Sequence, residues 1–219
     1  MDLVQTYGDL YQNNIALRTL LQLVPYGSAI DTAICGTLSL IEDKRRKEFF
    51  DELANGKFEL TEDIIKNEDF LHCFFITHQA ALRTRKTEKI RFLARLLKGS
   101  VEKKTFSNID DYEEILNILD ELSYREISIL LLLDSYEMKH PYEPGENDLQ
   151  RLERFWANFS DDASKNYQVI ELDSFMMRLT RSGCYETFNG TYYDDTGGKG
   201  KTTPFFQRIK EIARLNENQ

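Results

Sequence analysis

The side chains with the clearest chemical potential are nine Lys and Arg residues that share one segment, residues 83–104. Only Glu88 and Glu102 oppose them there, although the 219-residue chain as a whole has a net charge of −9. Arginine forks bind carboxylates and phosphates through paired hydrogen bonds, so the segment predicts recognition of an anionic group. The candidate anion-binding or partner-binding residues are Arg83, Arg85, Lys89, Arg91, Arg95 and Lys98.

Two interpretations of this basic segment are open. In the first, it contacts carboxylates of the same chain, of a second copy or of another protein, because the rest of the chain is acidic. In the second, it binds a nucleic-acid backbone, a nucleotide or an anionic lipid surface. The acidic balance argues against binding of duplex DNA over the whole surface. We expect a protein partner or self-association, with nucleic acid as the alternative.

Other patterns that resemble catalytic or metal sites are incomplete. His72 follows Glu68 and Asp69 by one helical turn, but a two-metal bundle needs a second such pair. Residues 197–202 resemble part of a phosphate-binding loop, yet Asp195 stands where that loop needs glycine. We therefore predict no catalytic residues, no metal site and no cofactor, while a catalytic site assembled by folding stays open.

Cysteine usage and the N-terminus indicate a cytoplasmic protein. Cys35, Cys73 and Cys184 are far apart and form no CxxC pair, which is typical of free thiols in a reducing compartment. The first ten residues lack the basic and apolar regions of a secretion signal.

A stable transmembrane segment is not expected. The longest uncharged runs, residues 19–30 and 32–41, are shorter than the ~18–20 apolar residues of a spanning helix. Small residues at Ser28, Thr32 and Gly36 predict close helix packing; the alternative is a conditional membrane-disrupting hairpin over residues 15–41.

Helical periodicity runs through most of the chain. In the N-terminal half it predicts helices over 29–53 and 68–98, with a break near 83–86 allowed and Gly99 as the end of the second helix. Residues 101–108 resemble a linker. After it the pattern predicts helices over 109–122, 124–138, 146–159 and 167–182, a hairpin of 184–188 with 191–193 around Asn189-Gly190, and a last helix over 204–215.

This order predicts a mainly α protein with two domains. Residues 1–104 form a helical bundle that carries the basic segment, and residues 105–219 form a winged-helix-like domain with one β-hairpin. A winged helix favours DNA binding, but the recognition helix would carry Glu171 and Asp173 at its N-terminal end. Arg178 and Arg181 come late in it, so we favour protein docking or a structural role for this domain.

Short motifs give the chain a resemblance to a known group. They are residues 23–31 (LVPYGSAID), Lys44-Arg45-Arg46 before Phe49-Phe50, Thr84-Arg85 before Lys89-Ile90, and Leu122-Ser123 before Glu126-Ile127. With these motifs the chain resembles bacterial abortive-infection (Abi-alpha-like) proteins, which are associated with phage defence. The resemblance implies a cytosolic helical protein that acts by interaction or toxicity, and it carries over no catalytic residue.

We therefore expect a non-enzymatic interaction or assembly protein, either a homo-oligomer or one component of a bacterial phage-defence system. The first alternative is a nucleic-acid-binding or nucleotide-binding regulator that uses the basic helix. The second is a membrane-disrupting effector that uses residues 15–41.

Overall fold

The computed structural model of the chain describes residues 19–20, 23, 33–55, 61–103, 108–188 and 198–216. These residues are mainly helical and include one two-stranded antiparallel hairpin, which confirms the predicted mainly α class. No helix among them is long and apolar enough to cross a membrane. The proposed hairpin over 15–41 lies largely outside the described residues, as does Asp195.

Contacts divide the chain into two compact units, which are described separately. Unit 1 comprises residues 1–120 and 212–214, and unit 2 comprises residues 121–211 and 215–219. The sequence pattern placed a domain boundary between residues 104 and 105, so the helix that begins at Ile109 is grouped differently here.

Unit 1 contains a packed set of helices. They are α1 (Ala33–Ala54), α2 (Glu62–Lys66), α3 (Glu68–Arg83), α4 (Thr87–Glu102) and most of α5 (Ile109–Glu121). Helices α1, α3 and α4 pack on one another. Their core is aromatic: the Phe74 ring centre lies 6.1 Å from that of Phe50 and 6.4 Å from those of Phe49 and Phe70. These rings are fully or almost fully buried, so they supply much of the apolar burial that holds unit 1 together.

The predicted helix over residues 68–98 is two helices. Helix α3 ends at Arg83 because Thr84 adopts an extended conformation, and the break falls within the segment where it was allowed. Gly99 does not end α4, which continues to Glu102, so that expectation was wrong. Gly99 has a different role: a Cβ at this position would overlap the backbone carbonyl of Ile212.

Unit 2 contains the remaining helices and the hairpin. They are α6 (Tyr124–Lys139), α7 (Asp148–Glu153), α8 (Trp156–Tyr167), α9 (Leu172–Leu179) with a 3₁₀ turn (Thr180–Ser182), β1 (Tyr185–Thr187), β2 (Gly200–Thr202) and α10 (Pro204–Ile212). Helix α6 begins at Tyr124 as predicted, and Ser123 and Glu126 form a capping box at its start. Helix α10 begins at Pro204 as predicted, and Thr203 Oγ1 accepts a hydrogen bond from the Phe206 amide at 3.2 Å.

Three predicted elements of unit 2 need correction. The helix over 146–159 is split into α7 and α8 because Phe155 leaves helical geometry (φ −133°). The helix over 167–182 begins only at Leu172, since Gln168 takes a left-handed conformation that ends α8. Strand β1 pairs with Gly200–Thr202, which belongs to the segment that resembled a phosphate-binding loop; the expected partner, residues 191–193, lies outside the described residues.

Candidate partner-binding site

Most of the basic segment lies on α4, and its central residues face α1. Arg91 binds Glu48 at 2.6 Å, Arg95 Nε donates to Glu52 at 2.6 Å, and Lys98 Nζ donates to the Asn55 carbonyl. Each pair is separated by 43 residues in the chain. The constant separation means that α1 and α4 run in parallel, so a row of bases at positions i, i+4 and i+7 meets a row of acceptors with the same spacing. We call these three pairs the α1/α4 ladder.

Burial within unit 1 removes half of the predicted binding residues from the surface. Lys89, Arg95 and Lys98 are all buried, and Lys89 Nζ donates to the Asp120 carbonyl at 2.7 Å. Arg95 also donates to the Arg214 carbonyl at 3.2 Å. Buried charged groups need hydrogen-bond partners, which here are the Glu52 carboxylate for Arg95 and backbone carbonyls for the two lysines. These three residues therefore contribute to the packing of unit 1.

A smaller group of cations stays exposed where α3 meets α4. Arg83, Arg85 and Lys86 are exposed there, and we call them the basic corner. The Arg83 side chain is 71% exposed although it reaches Asp120 at 3.2 Å. Arg85 and Lys86 make no ion pair with a described residue. Of the predicted site residues, the structure thus brings Arg83 and Arg85 together on an open surface and leaves Arg91 half-buried against Glu48.

A groove of about 280 Å³ lies beside the basic corner, between α3 and α5. Its lining residues are Ile76, Gln79, Ala80, Arg83, Glu113, Leu116, Asn117 and Asp120. Ile76 supplies half-exposed apolar surface, Ala80 and Leu116 lie buried at the base of the groove, and amides and charged groups surround it. The volume is close to the lower limit of ligand-binding pockets, and the mixture of apolar and polar groups is typical of them.

The two ends of the groove differ in charge. At one end Arg83 lies next to the basic corner, while at the other end Glu113 Oε1 lies 2.7 Å from His72 Nε2. The contact between Glu113 and His72 could not be predicted from the sequence pattern, since 41 residues separate them. The periodicity of α5 does place Glu113, Leu116, Asn117 and Asp120 at spacings of three and four, and such spacing puts side chains on one face of a helix.

The cysteines of the described part of the chain are not placed for nucleophilic chemistry. Cys73 and Cys184 are free thiols, and both are buried. Burial raises the pKa of Cys73 to about 12 and that of Cys184 to about 11. A reactive cysteine needs a lowered pKa and access to solvent, so neither thiol fits that role. Groups of His, Cys, Asp and Glu that could hold a metal ion are likewise absent from the described residues.

The segment that resembled a phosphate-binding loop is used for packing within unit 2. A Cβ at Gly198 would press on the Asp173 backbone, and one at Gly200 would overlap the Glu186 carbonyl. Lys201 Nζ binds Asp148 at 2.9 Å and Glu186 at 3.3 Å. These glycines and this lysine therefore have structural partners.

The chain was compared with protein-family models, with curated proteins and with solved structures, and none of the three comparisons gave a match.

Proposed function

We propose that this protein is a non-enzymatic interaction module that binds an acidic segment of a partner protein through the basic corner and the adjoining α3/α5 groove. The observation that carries the proposal is the division of the basic segment. Glu48, Glu52 and backbone carbonyls hold the cations of the α1/α4 ladder, whereas Arg85 and Lys86 stay exposed at the end of a groove. Cations that are not needed for packing are the ones available for a partner.

The groove supports a defined orientation for that partner segment. An apolar side chain fits over the half-exposed Ile76, with the buried Ala80 and Leu116 beneath it, and carboxylates fit over Arg83 and the basic corner. An acidic group at the opposite end would meet Glu113, which repels it. An amphipathic segment whose acidic end lies at the basic corner therefore satisfies both the apolar surface and the charges.

Nucleic-acid binding is the second candidate, because exposed arginine and lysine also contact phosphates. A phosphate backbone carries charge along its whole length and would also meet Glu113, whereas an amphipathic segment can keep its carboxylates at the basic corner, so we rank this candidate below a protein partner. The two candidates predict that the same residues bind different molecules, an acidic peptide in the first case and a nucleic acid in the second.

Two further features belong to the proposal. The order of α6, α8 and α9 followed by β1 and β2 supports a winged-helix-like arrangement for unit 2. The short motifs shared with abortive-infection proteins support a role in a bacterial phage-defence system, acting in the cytoplasm as part of an assembly.

The test compares an Arg85→Glu/Lys86→Glu variant with a Lys139→Glu/Lys165→Glu control, which changes the net charge equally at exposed positions of unit 2. The probes are a fluorescent amphipathic peptide of Glu and Leu and a fluorescent single-stranded oligonucleotide, each titrated at low and high salt. We expect peptide binding that weakens with salt and falls about tenfold or more in the first variant only, since roughly 1.4 kcal/mol is one decade of affinity.

Each of the other outcomes decides against the proposal. Absence of peptide binding at low salt overturns it, and equal loss in the control shows that the effect is only net charge. Tighter binding of the oligonucleotide, with loss in the Arg85→Glu/Lys86→Glu variant, replaces it with the nucleic-acid candidate.

A further inference from the structure

Helix α9 has one buried face and one face with exposed apolar side chains. Leu172, Phe175, Met176 and Leu179 point into the core of unit 2, while Ser174 and Met177 lie on the opposite side. Met177 is 51% exposed, and Ile170, just before the helix, is 95% exposed. Ile170 lies in the bend just before Glu171, the N-cap residue, and Met177 lies near the C-terminal end of the helix, so one apolar group is exposed at each end of α9. Both side chains are available for contact with another surface, where their burial would be favourable.

The charges around these apolar groups are divided between the two ends of α9. Glu171 and Asp173 are exposed at the N-terminal end, and Arg178 and Arg181 are exposed at the C-terminal end. Arg178 lies over the Phe175 ring at 5.3 Å, and Arg181 binds Glu126 at 3.0 Å while staying half exposed. Both arginines therefore have a fixed position but keep accessible guanidinium groups.

We propose that this face is the contact surface of a two-fold symmetric dimer, in which α9 of one copy packs antiparallel against α9 of a second copy. An antiparallel arrangement centred on Ser174 places Ile170 of each copy against Met177 of the other. The same arrangement places Glu171 of each copy near Arg178 of the other, because the midpoint of this pair also falls close to Ser174. A surface that is complementary to itself in this way is what an isologous interface requires.

Charge complementarity favours a second copy over nucleic acid as the occupant. A duplex would meet the carboxylates of Glu171 and Asp173 at the end of the helix that usually contacts bases. A second copy instead pairs each acidic end with a basic end and covers Ile170 and Met177 on both sides. The face of one short helix is smaller than the roughly 1,200 Å² buried in a stable interface, so the dimer is weak and reversible.

Sedimentation velocity of the full chain over a range of concentrations tests this dimer. We expect a concentration-dependent monomer–dimer equilibrium, with the dissociation constant raised about tenfold or more in Met177→Asp, Glu171→Arg or Arg178→Glu. The matched control is Asp161→Arg, an exposed reversal on α8 away from this face. Circular dichroism checks that each variant is folded.

Mixing provides a test that damage to the fold cannot imitate. In its own homodimer, each of the variants Glu171→Arg and Arg178→Glu places like charges opposite each other at both contacts. In a mixed dimer, one contact joins the native Glu171 of one variant to the native Arg178 of the other. The second contact joins the two introduced residues, an Arg and a Glu, so both contacts are attractive. We expect the mixture to associate within about threefold of the unmodified protein.

Three results overturn the dimer: a monomer at every concentration, dissociation constants that do not change in the three variants, or a mixture that associates no better than its components. The Arg85→Glu/Lys86→Glu variant is expected to dimerise normally. The dimer and the proposed binding of an acidic partner can therefore fail independently of each other.

Discussion

Arg95 and Glu52 form an ion pair inside unit 1, with the Nε–Oε1 distance at 2.6 Å and side chains only 5% and 11% exposed. This pair lies in the middle of the α1/α4 ladder, between Arg91–Glu48 and the Lys98–Asn55 contact. The most central arginine of the basic segment is thus a packing residue. Charge reversal at Arg95 would report on folding, and only the basic corner can report cleanly on partner binding.

Replacing Arg95 by Met is expected to destabilise unit 1 by about 3–5 kcal/mol, because it leaves the Glu52 carboxylate buried without its cation. Replacing both partners, as Arg95→Met with Glu52→Leu, is expected to cost much less, since no buried charge is left. Hydrogen exchange of the α1 and α4 amides during urea titration measures the loss in unit 1. The fluorescence of Trp156, the single tryptophan, serves as the internal reference for unit 2.

The half-exposed neighbour provides the control for that prediction. Arg91→Met removes an ion pair whose arginine is 39% exposed, so a cost of only about 0.2–1 kcal/mol is expected. Equal costs for Arg91→Met and Arg95→Met would show that burial does not determine the contribution of these pairs.

His78 is expected to make unit 1 sensitive to mild acid. The ring is buried among Phe49, Phe50 and Phe74, and this burial, with Arg46 nearby as the second cause, lowers its pKa to about 4. The unfolded chain binds the proton near pH 6.5, so stability is complete above that value and falls as the pH drops towards 4. The shift corresponds to a loss of about 3 kcal/mol over this window.

A His78→Leu variant separates this histidine from the many carboxylates that titrate near pH 4. Urea unfolding at pH 7.5, 6, 5 and 4.5, monitored by hydrogen exchange in α3, measures the free energy of unfolding of unit 1. This free energy should fall less with acid in His78→Leu than in the unmodified protein. His72→Gln is the matched control, because His72 is exposed on the same helix. A decline in His78→Leu that equals that of the unmodified protein would assign the acid sensitivity to other groups.

Local sequence signals predicted the starts of α6 and α10 correctly, although the start of α9 was wrong. The Ser123–Glu126 capping box and Pro204 place α6 and α10 correctly, because caps act within one turn and do not depend on the rest of the fold. The break after α8 could not be predicted, since it depends on a left-handed Gln168 and this residue type does not favour that conformation. Gly99 was wrongly predicted to end α4 for a related reason. Its lack of a side chain allows the backbone of Ile212 to come close, and it does not end the helix.

The candidate site was predictable only in part. The spacing of Arg91, Arg95 and Lys98 is visible in the sequence, and so is the matching spacing of Glu48 and Glu52. Their contact depends on the parallel packing of α1 and α4, which is a tertiary relationship across 43 residues. Arg85 looked equivalent to Arg95 in the sequence, and only packing distinguishes the exposed residue from the buried one.

The two described thiols are expected to resist alkylation in the folded protein. With pKa values of about 12 for Cys73 and about 11 for Cys184, less than about one thiol in a thousand is ionised at pH 8. Mass spectrometry of peptides after iodoacetamide treatment should find both residues unmodified in buffer and modified in urea. Rapid labelling of Cys73 in buffer would instead show that the α3 core opens frequently.

Gly99→Ala is expected to destabilise unit 1 through a local displacement of residues 212–214. The added Cβ would lie only 2.1 Å from the Ile212 carbonyl oxygen, and a backbone atom cannot move aside as the end of a flexible side chain can. Overpacking of this kind costs about 1–3 kcal/mol. It should also weaken the contacts of Arg214 with Arg95 and Glu102, which lie beside it. Hydrogen exchange should therefore rise most at residues 212–214.

Gly145→Ala is the control for this prediction. Gly145 has a positive φ but open space around it, so its replacement strains only the local backbone and should leave exchange at 212–214 unchanged. Unchanged exchange at 212–214 in Gly99→Ala would contradict the close approach of Gly99 and Ile212.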